Sequence, residues 1–188
     1  MHQEDGLMLS GEERAALLES ARMAVRAACS GGPLPPSPAG GVFDSDCGAF
    51  VTLKRKSDGS LRGCIGSFTA AGTLGRTVVR MAAAAAMDDP RFQPVRPDEV
   101  PLLRVEISVL SPMVRTDPAD VVTGTHGVYV RSGRFGGTLL PQVAAEEGWG
   151  REQLLSHTCL KAGLPPGAWK TGTVEVFTYT AEVFSEQG

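Results

Sequence analysis

The sequence lacks the motifs that most readily name a chemistry. It holds no P-loop, no GxGxxG dinucleotide fingerprint and no GxSxG nucleophile elbow. Its cysteines, Cys29, Cys47, Cys64 and Cys159, form no CxxC pair and no zinc-ribbon spacing. Its histidines, His2, His126 and His157, supply no HExxH pattern, so no metal site is expected. No apolar run approaches the roughly 18 residues that a membrane span needs, and no membrane partner is expected. The opening stretch MHQEDGLMLSGEERAALLES has neither the basic nor the apolar region of a signal peptide. A cytoplasmic location follows as an expectation, with free thiols rather than disulfides. Charge is modest in both signs: 18 Lys plus Arg against 21 Asp plus Glu, net -3, with no basic block. That balance argues against a domain built to coat nucleic acid. What the chain has in plenty is Gly, at 23 residues, and Pro, at 13, in a length of 188. Such a length suits one large domain, or two lobes sharing a core.

Along the chain, Ser10 reads as an N-cap with Glu13 completing a capping box, and Leu17, Leu18, Ala21, Val25 and Ala28 mark a helical stripe to about Cys29. The Pro- and Gly-dense Ser30 to Gly41 segment cannot continue it and reads as an exposed loop. Ala49 to Arg55 and Ser60 to Phe68 form a hairpin about the Asp58-Gly59 turn. Thr73 caps a helix to Met87 that Asp88-Asp89-Pro90 stops. Leu103 to Leu110 alternates as a strand, with Leu103, Val105, Ile107 and Val109 on one face and Glu106 on the other. Val128 to Val130 and Thr138 to Leu140 are short strands. Gln142 to Glu147 follows Pro141 as a short helix, and Arg151 to Ala162 is a longer one ending at Gly163. Val174 to Phe184 closes the chain as a strand. Strands and helices mix without a βαβ rhythm, so the expected class is α+β, mainly antiparallel sheet flanked by helices.

The most informative stretch is Leu61-Arg62-Gly63-Cys64-Ile65-Gly66. Strand alternation puts Arg62, Cys64 and Gly66 on one face, with Arg62 and Cys64 about 7 Å apart. A guanidinium so placed favours thiolate and makes Cys64 a candidate nucleophile. Gly63 and Gly66 suit close approach by a ligand or by another backbone. The plainer alternative is a packed core thiol with glycines serving a bulge. His126, between Thr125 and Gly127 at a strand mouth, is a candidate acid, base or donor. Glu106 and Glu146 are candidate bases or partners for Arg62. Cys159 reads as a core thiol, His157 as an outward helix residue, and Trp149 and Trp169 as packing anchors. The DDPRF turn explains Pro90 as a helix stop, though not why Arg91 and Phe92 follow.

These residues carry a family resemblance. The stretches GAFVTL (Gly48 to Leu53), LRGCIGSF (Leu61 to Phe68), DPRF (Asp89 to Phe92), EISVLSP (Glu106 to Pro112), HGV (His126 to Val128), LLPQVAAEEGW (Leu139 to Trp149) and CLKAGLP (Cys159 to Pro165) resemble the AMMECR domain family, known in bacteria as AmmeMemoRadiSam system protein A. The resemblance spans 9–186 and leaves 1–8 as a tail. It implies a two-lobed single domain, with a larger lobe from both chain ends, a smaller lobe and a cleft between them. It also implies partners of the Memo type and of the radical S-adenosylmethionine type in a modification pathway. It names no cofactor, and the cysteine spacing argues against an iron–sulfur cluster. Three functions remain open at this level. One is an enzyme using Cys64 as nucleophile or redox thiol, with Arg62 and His126 assisting and Gly63, Gly66, Glu106 and Glu146 contacting a small molecule or modified nucleotide. The others are a non-catalytic scaffold that delivers substrate to partners, and an RNA-binding module, for which the basic residues are too scattered.

Overall fold

The computed structural model describes residues 8–68 and 72–187; His2 and most of the expected tail lie outside the described residues. The chain divides into two compact units, one running to Leu110 and resuming at Glu182, the other spanning Ser111–Ala181.

The first unit opens with α1 (Gly11–Cys29), started by the expected capping box: Glu13 N–H donates to Ser10 Oγ and Ser10 N–H to the Glu13 carboxylate. Next come β1 (Ala49–Arg55), β2 (Leu61–Ser67), α2 (Leu74–Met87) and β3 (Leu103–Leu110). Thr73 caps α2 by accepting from Arg76 N–H. The sheet order is β2-β1-β3-β8, where β8 (Ala181–Ser185) comes from near the end of the chain. Val51, Leu53, Val105 and Ile107 lie on one face of this sheet and are fully buried with Leu17, Val25, Leu74 and Val78 of the two helices. Burying each such side chain contributes about 1.5–3 kcal/mol. Arg22 of α1 ties the late strand to the early sheet: it pairs with Glu186 and donates to the carbonyls of Val100 and Leu103.

The second unit holds β4 (Val114–Arg115), β5 (Gly127–Ser132), β6 (Phe135–Leu139), α3 (Pro141–Glu147), α4 (Arg151–Lys161) and β7 (Glu175–Tyr179), with sheet order β4-β7-β5-β6. Its core is Val128, Val130, Leu154, Leu155, Cys159 and Val176, with Trp149 and Trp169 packed against it. Tyr179 crosses Gly127, where any Cβ would strike the ring, and shares a hydrogen bond of 2.7 Å with Thr138 Oγ1. Burial pushes the Tyr179 phenol up to about 12, against the opposing pull of the Thr138 hydrogen bond.

The α+β class with antiparallel sheets is the one expected from the sequence. The expected closing strand is not one strand. Residues Val174 to Phe184 are rich in strand-forming side chains throughout, but the run breaks at Thr180, and β7 and β8 join different sheets. The break is held by hydrogen bonds: Ser111 N–H donates to Thr180 O and Thr180 N–H to Ser111 Oγ, both at 2.9 Å. Side-chain alternation carries no information about which sheet a strand joins, so it could not reveal this division. Among the described residues, no helix is long and apolar enough to cross a membrane.

Candidate functional site at the Cys64 strand

β1 and β2 pair antiparallel, and their register carries one irregularity. Leu53 opposes Gly63, yet Lys54 opposes Leu61, so Arg62 is an extra residue and the strand bulges. The bulge corrects the expectation that Arg62 shares a face with Cys64. Its side chain is withdrawn, with only 5% of the residue exposed, and the guanidinium grips Glu99 through Nε and Nη2, both at 3.1 Å. It also donates to the carbonyls of Gln93 and Pro94. The Arg62 hydrogen bond, followed by that of Arg96 N–H, holds the Glu99 carboxyl below its usual value.

Beyond the bulge the alternation resumes. Gly63 and Ile65 face the helices with Leu53 and Val51, while Cys64 and Gly66 face the other way with Thr52 and Phe50. The same register carries on to β3, where Thr52 opposes Glu106 and Phe50 opposes Ser108. The face turned from the helices therefore presents Cys64, Thr52 and Glu106 in one row. Thr52 Oγ1 donates to Cys64 Sγ at 3.2 Å. Next along β1, Lys54 Nζ contacts both Glu106 carboxylate oxygens at 2.9 Å.

Each flanking glycine serves a close approach. At Gly63 the approaching group is α2: an added Cβ would lie 3.2 Å from the Ala85 carbonyl carbon and nearer still to its oxygen. At Gly66 it is the Phe50 ring, which also packs edge-to-face on Phe68 with centroids 4.8 Å apart.

The backbone of Cys64 is held from outside the sheet. Its N–H donates to Asp89 Oδ2 at 2.8 Å, and Arg91 Nη2 reaches its carbonyl at 3.4 Å. Arg91 also grips Asp89, which hydrogen-bonding from this guanidinium holds far below the usual carboxylate range against its burial. Cys64 in turn acts electrostatically on Arg91. The cation beside Cys64 is thus Arg91. Sequence reasoning missed Thr52, Asp89 and Arg91 as parts of this arrangement. The available signal was the DDPRF turn, whose Arg91 and Phe92 a helix stop does not need.

The other thiols differ in setting. All four cysteines are free. Burial pushes the Cys29, Cys47 and Cys159 thiols up, and Cys29 is raised further by Glu99 and eased by Arg62. Cys64 is half-buried and carries the Thr52 contact.

Of the remaining candidates, Arg62, Gly63, Gly66 and Glu106 share the first unit with Cys64, and His126 and Glu146 belong to the second. His126 Nδ1 accepts the Val122 N–H at 3.1 Å while its own backbone N–H donates to Val122 O, so the ring closes a turn ahead of β5. Glu146 is exposed on α3. His157 is exposed on α4 and stacks on Trp149 with ring centroids 3.9 Å apart. Among the described residues, no three His, Cys, Asp or Glu side chains are grouped as metal ligands would be.

Fold and site together define an α+β protein of two antiparallel sheets, with a glycine-flanked thiol clamped at a sheet edge. The chain belongs to the AMMECR1 family, whose model matches residues 18–184. It is 45% identical over 148 residues to a protein of Methanopyrus kandleri, a match covering 74% of this chain and 72% of that one. It is 40% identical over 189 residues to a protein of Methanothermobacter thermautotrophicus, covering 96% and 97%. The crystal structure of an uncharacterised protein from Pyrococcus horikoshii is similar to this chain. Its TM-score is 0.79 at 37% identity, covering 91% of this chain and 90% of that one.

Proposed function

We propose that this AMMECR1-family chain is an enzyme in which Cys64 Sγ acts as nucleophile or redox thiol, serving a modification pathway together with Memo-type and radical S-adenosylmethionine proteins. The observation that carries the reading is the row Cys64–Thr52–Glu106 on the helix-free face of the first sheet, joined by the Thr52 Oγ1 to Cys64 Sγ hydrogen bond of 3.2 Å. Cys64 Sγ accepts from the Thr52 hydroxyl and the Arg91 guanidinium reaches the Cys64 carbonyl, a hydroxyl donor and a cation of the kind that support sulfur nucleophiles. Glu106, kept in place by Lys54, is the carboxylate of the same face and the group offered to a small-molecule or modified-nucleotide substrate. The reading rests on residues of the first unit alone; the pathway partners come from the family resemblance.

The test is metabolite and RNA-modification profiling of cells lacking the protein, complemented with wild type or Cys64→Ser. Wild type should restore the missing product and Cys64→Ser should not. Full restoration by Cys64→Ser would sink the enzymatic reading and favour a substrate-delivering scaffold.

A further inference from the structure

β2 is an outer strand of its sheet, and outer strands present unpaired N–H and C=O groups. In an antiparallel ladder, a hydrogen-bonded residue gives its N–H to the residue opposite and receives that residue's N–H at its own carbonyl. Cys64 has this arrangement with two side chains in place of a strand. Its N–H goes to Asp89 Oδ2 at 2.8 Å, and its carbonyl receives Arg91 Nη2 at 3.4 Å.

The two side chains are also locked to each other. Arg91 Nε reaches Asp89 Oδ1 at 3.0 Å and Nη2 reaches Oδ2 at 2.7 Å, while Arg91 N–H returns to Oδ1 at 3.1 Å. The Arg91 guanidinium lies 5.5 Å from the Phe92 ring centroid, which steadies its open side. From the other direction, Arg62 fastens β2 to Glu99, Gln93 and Pro94. The side chains of Asp89 and Arg91 therefore stand where a fifth strand would meet Cys64. A guard against strand pairing would serve at any residue of β2; here it sits on the cysteine itself.

We propose that Asp89 and Arg91 are positioning residues for Cys64, a side-chain substitute for a neighbouring strand that fixes the Cys64 peptide and sets its sulfur beside Thr52. The proposal rests on the reading of Cys64 as the reacting thiol. Asp89 is the buried half of the pair, with 3% of its side chain exposed, and Arg91 the open half, with 56% exposed. Arg91→Ala therefore removes mostly exposed atoms but leaves the Asp89 carboxylate without its cation, whereas Asp89→Asn keeps the shape and removes the charge that holds Arg91.

The experiment uses the full chain with each substitution and three readouts: amide hydrogen exchange at Cys64, iodoacetamide alkylation of Cys64 relative to Cys29 in the same molecule, and rescue of cells lacking the protein. General loosening moves both thiols together, so the ratio isolates position from stability. In Arg91→Ala, exchange at the Cys64 amide should rise by about tenfold or more. The alkylation ratio should change by at least about threefold, with rescue lost. Unchanged exchange and an unchanged ratio in both variants would overturn the proposal. So would rescue at the wild-type level by Arg91→Ala despite faster exchange, since the clamp would then hold the strand without serving the thiol. Full rescue by Cys64→Ser would instead remove the reacting-thiol reading, and the exchange and alkylation results would still decide whether the pair positions this peptide.

Discussion

Replacing Gly63 by alanine separates packing from ligand access at the centre of the LRGCIG motif. Gly63 faces α2, and an added Cβ would lie 3.2 Å from the Ala85 carbonyl carbon and under the 3.0 Å floor from its oxygen. The obstacle is helix backbone, not the free end of a side chain. It is fixed by the buried Ala82, Ala85 and Ala86. The strand has no easier escape, because Gly63 is paired with Leu53 of β1. Overpacking of this kind costs about 1–3 kcal/mol, and an obstacle made of backbone places the substitution in the upper half of that range. For a chain of this length each kcal/mol lowers the melting temperature by about 2–4 °C, which gives a drop of roughly 4–12 °C. Calorimetry of wild type and Gly63→Ala is the assay. A melting temperature within about 1 °C of wild type would refute the reasoning, and would mean that the glycine answers to something other than α2.

Two pH predictions follow from buried groups. Tyr179 has its phenol raised above the unfolded value, so its contribution is full below about pH 10 and is lost as pH rises toward about 12. In a Tyr129→Phe variant, which leaves Tyr179 as the remaining tyrosine, absorbance titration should show phenolate only near pH 12 or with alkaline unfolding; ionisation near pH 10 in the folded protein would contradict this. Asp89 has the opposite sign. Its carboxyl is depressed by Arg91, so its contribution is full above about pH 4 and fades as pH falls further. The urea midpoint of wild type should therefore fall more between about pH 5 and pH 3 than that of Asp89→Asn, and equal acid sensitivity would count against the clamp geometry.

Much of the first unit is legible in the sequence because its signals are local. Ser10 and Glu13 cap one helix, Thr73 and Asp88-Asp89-Pro90 bound another, and the alternation of β3 names its buried face. The site is less legible because it depends on parity and on distant side chains. One inserted residue at Arg62 reverses the facing of everything before it in β2, and the glycines allow a bulge without announcing one. The cation at Cys64 then comes from Arg91, 27 residues away in sequence. That pairing follows from where α2 ends relative to the edge of β2, which periodicity along the chain does not record.

The first sheet is completed by a strand drawn from near the end of the chain, and this has a consequence for the order of events during synthesis. Residues through Leu110 can emerge with α1, α2 and three strands in place, yet β3 then offers an uncovered edge until the whole of the second unit has followed and β8 arrives. Arg22 waits equally long for Glu186, whose carboxylate also takes the Val105 N–H. A ribosome that stalls or stops near Tyr179 would release a product with a formed second unit and an open strand in the first, the kind of edge that recruits other chains. For this protein, the codons of β8 decide whether the earliest-made sheet remains a private structure.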